Sequence, residues 1–296
     1  MAWIQITLTV DRSDAPLVEA ALENAGALAV TLSDAGDDPL LEPLPGTMPL
    51  WTGVRLTALF PDDPAARATV EGLTLTLGAR CPLPPLVEPL DDRPWERVWL
   101  DEFRATRFGQ RLWVCPQGQG APERDGVVVD LDPGLAFGTG HHPTTALCLE
   151  WLDGAELAGR TLLDYGCGSG ILAIAALKLG AAHAIALDHD PQAIEATRAN
   201  AERNQVADRL FTGGPEALGQ IGARLPADLV VANILAGPLV TLAPTLTRQL
   251  HSGGDLALSG VLRDQVATVS AAYAGDVDLG PTRIREDWAL ITGTRR

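Results

Sequence analysis

Cysteine is scarce and scattered in this chain of 296 residues: Cys81, Cys115, Cys148 and Cys167 form no CxxC pair. Neither a zinc site nor a disulfide framework is expected, and reduced thiols in a cytoplasmic compartment are the simplest account. Positive charge is also in short supply. Lys and Arg total 22 against 38 Asp and Glu, a formal net charge of -16. Such a surface repels a phosphate backbone, so no direct nucleic-acid binding is expected, whereas a basic protein would be attracted. The same charge also serves solubility, whatever the partner. No apolar run is long enough to span a membrane: the most apolar stretch, ILAIAALKLGAAHAIAL (171–187), is interrupted by Lys178 and Gly180 and reads as a helix followed by a strand. The opening MAWIQITLTV has neither a positive segment nor a small-residue cleavage site, so no signal peptide is expected. Repeats and low-complexity blocks are missing as well, which leaves a globular protein of one large or two ordinary domains.

What is present divides into two halves. Residues 1–90 read as strand, helix, strand, strand, helix, strand. WIQITLTV alternates apolar and polar residues, and DAPLVEAALENAG carries an aspartate cap, a first-turn proline and a closing glycine. GALAVTLSD and GVRLTALF fit two more strands, a second helix begins near Asp63, and PLVEPL supplies the last strand. That order predicts a small ferredoxin-like α+β domain, which names no function by itself. The proline-rich CPLPPLVEPLDDRP marks a boundary. Beyond it Trp95, Trp99 and Phe103 recur at helical spacing, predicting a connecting helix over 91–103 with one aromatic face. From Thr161 strands and helices alternate as a parallel α/β sheet requires, within a second domain at 104–296. A proline-broken helix is expected over 236–250, and GPTRIRE with DWALITGTRR reads as a closing antiparallel pair.

The chemistry begins at LLDYGCGSGIL, where Asp164, Gly166, Gly168 and Gly170 stand at a strand-to-helix turn. Glycines there let the backbone approach a ligand, and the helix N-terminus offers unpaired N–H groups. A dinucleotide fingerprint would need Gly or Ala where Ile171 stands, and neither glycine cluster is followed by the Lys-Ser/Thr of a phosphate loop. In HAIALDHD, Asp188 is placed to accept ribose hydroxyls at the next strand's end, while Asp190 caps the helix beginning near Pro191. Asn233 in VVANILAG emerges at the carboxyl edge of a further strand. His141 and His142 invite a metal reading, but adjacent histidines seldom ligate one ion together and no third ligand stands near. No metal is expected.

The pattern D-x-G-x-G-x-G resembles the first motif of class I S-adenosylmethionine-dependent methyltransferases. DPGLAFGTGHHPTTALCLEWL, DYGCGSGILAIAALKLGA and VVANILAGPL together resemble the PrmA type of bacterial ribosomal protein methyltransferase. Asn233 sits where nitrogen-modifying methyltransferases carry (D/N)PP(Y/F), although Ile234 and Leu235 replace the prolines. The resemblance implies a Rossmann-like class I methyltransferase domain with S-adenosylmethionine as cofactor. Its substrate would be protein L-eleven of the large ribosomal subunit, methylated on lysine and/or N-terminal amines by a cytoplasmic monomer and recognised by the N-terminal domain. It further implies that Thr145, Gly166, Gly168, Asp188 and Asn233 bind the donor, with Phe137 and Gly138 in a glycine loop (134–140) closing over it. Asn233 would be the catalytic residue. Two other classes compete: a methyltransferase for RNA or a small molecule using the same donor, and a nucleotide-binding interaction protein without catalysis. The acidic charge disfavours the first, and the intact glycine, Asp188 and Asn233 positions disfavour the second.

Overall fold

Every second residue of WIQITLTVD faces a core: Ile4, Ile6, Leu8 and Val10 are buried along β1 (Trp3–Asp11), while the residues between them are only partly covered. In a computed structural model, residues 3–36, 50–90, 104–116, 126–131, 142–219, 221–222 and 225–296 are described. The chain divides into two compact units, Met1–Trp99 and Leu100–Arg296. The connecting helix expected over 91–103, with Trp95, Trp99 and Phe103, lies outside the described residues.

In the first unit α1 (Ala15–Asn24), β2 (Ala29–Asp34), β3 (Gly53–Pro61), α2 (Pro64–Leu77) and β4 (Leu86–Leu90) follow β1. The strands form one antiparallel sheet of order β2-β3-β1-β4, with Ile6 opposite Ala58 and Leu8 opposite Leu56. This is the expected ferredoxin-like arrangement. Val18 and Leu22 of α1 and Val70 and Leu77 of α2 close over the buried strand residues. Asp63 caps α2 by accepting the N–H groups of Ala65 and Ala66, each at 2.9 Å. The cap expected of Asp14 on α1 is not made. Asp14 already has helical backbone angles (φ -90, ψ -20), and its carboxylate pairs instead with Arg80 at 3.2 Å.

In the second unit a three-stranded sheet comes first: β5 (Thr106–Phe108) antiparallel to β6 (Leu112–Pro116), which runs parallel to β7 (Val127–Leu131). The sequence reading contains none of these, because strands of three to five residues are too short for alternation to stand out. Then come α3 (Pro143–Gly154), β8 (Thr161–Tyr165), α4 (Ile171–Leu179), β9 (His183–Leu187), α5 (Pro191–Arg203) and β10 (Leu210–Gly213). The unit ends with β11 (Ala227–Asn233), α6 (Ala236–Arg248), β12 (Leu250–Leu262), α7 (Val266–Tyr273), β13 (Val277–Leu279), β14 (Arg283–Arg285) and β15 (Trp288–Arg295). β10, α7 and β13 are further elements the sequence reading lacks. The main sheet has the order β10-β9-β8-β11-β12-β15-β13, parallel from β10 to β12 and antiparallel from β15 onward. The expected closing pair is β14 against β15. Among the described residues no helix is long and apolar enough to cross a membrane.

Two cores explain why the central strands are apolar at nearly every position. Leu162, Ala184, Ala186, Leu229 and Val231 join α3 and α4 on one face, while Leu163, Ile185, Leu187, Val230 and Ala232 join α6 and α7 on the other. A parallel sheet covered on both faces has no solvent side to encode. α6 runs unbroken past Pro244, contrary to the expected break, and stops at Arg248. Proline removes one backbone donor there, but packing of Leu239, Ala243 and Leu246 holds the helix together.

Candidate active site

The chain leaves β8 for β9 and β10 on one side and returns to β11 on the other. Strand order therefore reverses between β8 and β11, and the crevice at their carboxyl ends is where open α/β sheets take ligands. Gly166 follows β8, Asp188 follows β9 and Asn233 ends β11, so three expected site residues stand at one edge of three adjacent parallel strands.

The turn between β8 and α4 is built on glycine. Gly166, Gly168 and Gly170 have φ of +81, +53 and +79, where side chains are strained. A Cβ on Gly166 would also collide with the Ile234 side chain, so the turn and the residue after Asn233 lie in direct contact. The N–H groups of Gly166 and Cys167 both donate to the Leu187 carbonyl, at 2.7 and 3.1 Å. Asp188, 8% exposed, locks the same turn from the neighbouring strand: Oδ2 accepts the Gly168 N–H at 2.9 Å, and Oδ1 accepts the Asp190 N–H at 3.0 Å. Asp190 caps α5 as expected, accepting from Gln192 N–H at 2.9 Å.

Thr145 arrives from the first turn of α3. Its Oγ1 accepts a hydrogen bond from Asn233 Nδ2 at 3.2 Å, joining residues 88 apart in sequence. No donor reaches the Asn233 carboxamide oxygen among the described residues. Pro143 occupies the first turn of α3, and His142 before it is extended (φ -67, ψ 135), as a residue preceding proline prefers. His142 Nδ1 accepts the Thr144 N–H at 3.4 Å and lies 2.7 Å from Thr144 Oγ1. Its ring meets Trp288 edge-on, with centroids 4.9 Å apart. Burial lowers the His142 pKa, opposed by Glu286, which suits a neutral ring accepting at Nδ1. Among the described residues no group of three His, Cys, Asp or Glu side chains is placed to hold a metal. Phe137 and Gly138, with the rest of the loop over 134–140 and His141, lie outside the described residues.

Asp164 lies beneath the turn and is fully buried. Its Oδ2 accepts the Ala173 N–H at 3.2 Å, and its Oδ1 has no partner among the described residues. Burial pushes the carboxyl up to about 7 against the pull of the Ala173 N–H, and the Asp188 charge adds to the rise. The sequence reading missed Thr197 and Asn200 on α5, whose side chains donate to the Gly168 and Ser169 carbonyls at 2.9 and 3.0 Å. Their signal was present in PQAIEATRANAERN, where Thr197 and Asn200 share a helix face with buried Ala193 and Ala201.

A glycine-built turn at a helix N-terminus, a buried carboxylate after β9 and an amide–hydroxyl pair at the switch point fit a nucleoside carrying an amino-acid tail. The family described as Ribosomal protein L11 methyltransferase (PrmA) matches residues 2–296. Relatives named ribosomal protein L11 methyltransferase include those of Ectopseudomonas mendocina (strain ymp), 52% identical over 100% of both chains, and Pseudomonas aeruginosa (strain LESB58), 53% identical over 100% of this chain and 99% of the other. Among solved structures, a ribosomal protein L11 methylase from Lactobacillus delbrueckii subsp. bulgaricus is similar with TM-score 0.60 and 30% identity, covering 66% of this chain and 100% of that one. The second unit thus has the Rossmann-like class I methyltransferase fold. With the match running from residue 2 to residue 296 and half the residues shared end to end with such relatives, the chain belongs to the ribosomal protein L11 methyltransferase (PrmA) family.

Proposed function

We propose that this protein transfers methyl groups from S-adenosylmethionine to lysine and/or N-terminal amines of ribosomal protein L11. The observation that carries the reading is the meeting of the glycine turn, Asp188 and the Thr145–Asn233 pair at the switch point of a PrmA-family chain. When bound, the donor supplies a methyl group on a sulfonium, already a strong electrophile, so alignment and exclusion of water account for most of the acceleration. Gly166 and Gly168 give the donor close backbone approach, Asp188 accepts its ribose hydroxyls, and Thr145 with the first turn of α3 receives its carboxylate. Phe137 and Gly138 are assigned to the same binding.

The acceptor presents a different difficulty. A lysine with pKa near 10.4 is mostly charged at neutral pH, and exposing its lone pair costs about 4–5 kcal/mol. An apolar lip lowers that cost by disfavouring the charged amine, and Leu235, 53% exposed beside Asn233, supplies one. The Asn233 carboxamide oxygen accepts an amine hydrogen and aims the lone pair, while its Nδ2 stays anchored on Thr145.

Substrate recognition is assigned to the ferredoxin-like unit, because every motif described above lies in the second unit. The net charge of -16 supports a basic protein partner over nucleic acid. The thiols of Cys81, Cys115, Cys148 and Cys167, all free, support a reducing, cytoplasmic setting.

Incubation with radiolabelled S-adenosylmethionine and either purified ribosomal proteins or ribosomal RNA tests the reading. Label is expected in protein L11; label in RNA with none in L11 would overturn it. Asp188→Ala is expected to weaken S-adenosylmethionine binding by about 2 kcal/mol, roughly thirtyfold, for lost hydrogen bonds to a charged group. Calorimetry giving wild-type affinity in the folded variant removes Asp188 from the site.

A further inference from the structure

α5 and the residue that caps its C-terminus hide three polar side chains where a helix normally hides apolar ones. Thr197, Asn200 and Asn204 are buried at 0%, 2% and 4% exposure, and their spacing sets them on one face. Buried polar groups destabilise unless hydrogen-bonded, so their bonds show what the face is for. The Thr197 hydroxyl donates to the Gly168 carbonyl at 2.9 Å and lies 3.4 Å from Cys167 Sγ. Asn200 Nδ2 donates to the Ser169 carbonyl at 3.0 Å. Asn204 clasps the backbone of Asp130 in β7: Oδ1 accepts its N–H at 2.8 Å and Nδ2 donates to its carbonyl at 2.7 Å. The same Nδ2 also donates to the Asn200 carbonyl at 2.8 Å.

We propose that Thr197 and Asn200 are positioning residues for methyl-donor binding, orienting the peptide planes of the glycine turn, and that Asn204 fixes the helix that carries them by clasping β7. In a trans peptide the carbonyl and the following N–H point opposite ways. Holding the Gly168 carbonyl toward α5 therefore aims the Ser169 N–H away from it, and holding the Ser169 carbonyl there orients the plane whose Gly170 N–H closes the turn on the Cys167 carbonyl at 2.8 Å. A turn of three positive-φ glycines has little stiffness of its own, since glycine visits many conformations. The two peptide planes that meet at Gly168 are each held, the first by Asp188 through the Gly168 N–H and the second by Thr197 through the Gly168 carbonyl. Gly170 is small for the same reason: a Cβ there would come within 2.7 Å of Thr197 Cγ2. Helix and turn are fitted to each other, and the fit sets how well the turn is preorganised for a ligand.

The inference rests on the donor-site reading above, and the test separates the two. Calorimetry with S-adenosylmethionine and S-adenosylhomocysteine is paired with steady-state methylation of protein L11 for wild type, Thr197→Val, Thr197→Ser and Asn200→Asp. Valine keeps the shape and loses the hydroxyl; aspartate keeps the shape and sets an acceptor against the Ser169 carbonyl. Thr197→Val and Asn200→Asp should each raise the donor Kd and KM about tenfold, with kcat at saturating donor within about twofold, and Thr197→Ser should restore both. A purely structural role would lower the Tm and leave the donor Kd of the folded variant at its wild-type value, and that result overturns the inference. Should Thr197→Val fail to fold, Asn200→Asp gives the same readout. Wild-type protein that binds neither nucleoside overturns the donor-site reading itself, whereas wild-type binding with unchanged variants overturns this inference alone.

Discussion

Asn233→Ala is expected to slow methyl transfer about a hundredfold at saturating donor and acceptor, while weakening donor affinity much less. The side chain ends β11 at the switch point, tethered to Thr145 Oγ1 at 3.2 Å, so its carboxamide plane is fixed before any acceptor arrives. A fixed acceptor atom orients an amine at little further cost in entropy, and misplacing a reacting atom by about 1 Å costs on the order of a hundredfold. Removing the side chain frees Thr145 as well, which adds a smaller loss in donor binding. Excess S-adenosylmethionine compensates for the second effect and not for the first. Single-turnover rates with both substrates saturating decide between them. A rate near wild type would restrict Asn233 to donor binding.

Asp164 should give the protein a stability that declines as the solution becomes less acidic. Its folded pKa, raised to about 7 by burial, lies above the ordinary carboxylate value of 3.8 that the unfolded chain keeps. Between roughly pH 4 and pH 7 the folded chain keeps a proton that the unfolded chain releases, so unfolding gains with every increment of pH. The stability due to Asp164 is complete below about pH 4 and lost as pH rises through about 7. The loss is on the order of 2–4 kcal/mol for a fully buried carboxyl. Asp164→Asn has no proton to release. Denaturant unfolding of both proteins at pH 5 and pH 8 isolates the effect, because the other carboxylates cancel in the difference. Wild type should lose that amount relative to the variant; parallel pH profiles would show that Asp164 is ionised at both.

Both predictions depend on placements that the sequence reveals unequally. The D-x-G-x-G-x-G run, Asp188 and Asn233 were all readable, because a strand-to-helix turn and a strand's last residue are local features. That Asn233 grips Thr145 was not readable, since the bond joins residues 88 apart and needs α3 to start beside the end of β11. Helical spacing puts Thr197 and Asn200 on the face of Ala193 and Ala201, but what that face holds is not local. Only the bonds to Gly168, Ser169 and Asp130 reveal what Thr197, Asn200 and Asn204 are buried for.

The sequence by itself determined the βαββαβ order of the first unit, the alternating strands and helices after Thr161, and the Asp63 and Asp190 helix starts. Each is written in hydrophobic period or in a cap within three residues, so nearest neighbours suffice to specify it. Tertiary structure decided the rest. Asp14 gave up its cap for Arg80, 66 residues away; Pro244 stayed inside a helix held by its packing; and the short strands β5 to β7 formed by pairing with one another. It decided the site as well. A parallel sheet brings its carboxyl ends together only when strand order is fixed by crossovers and two-sided burial, interactions that no short window of residues contains.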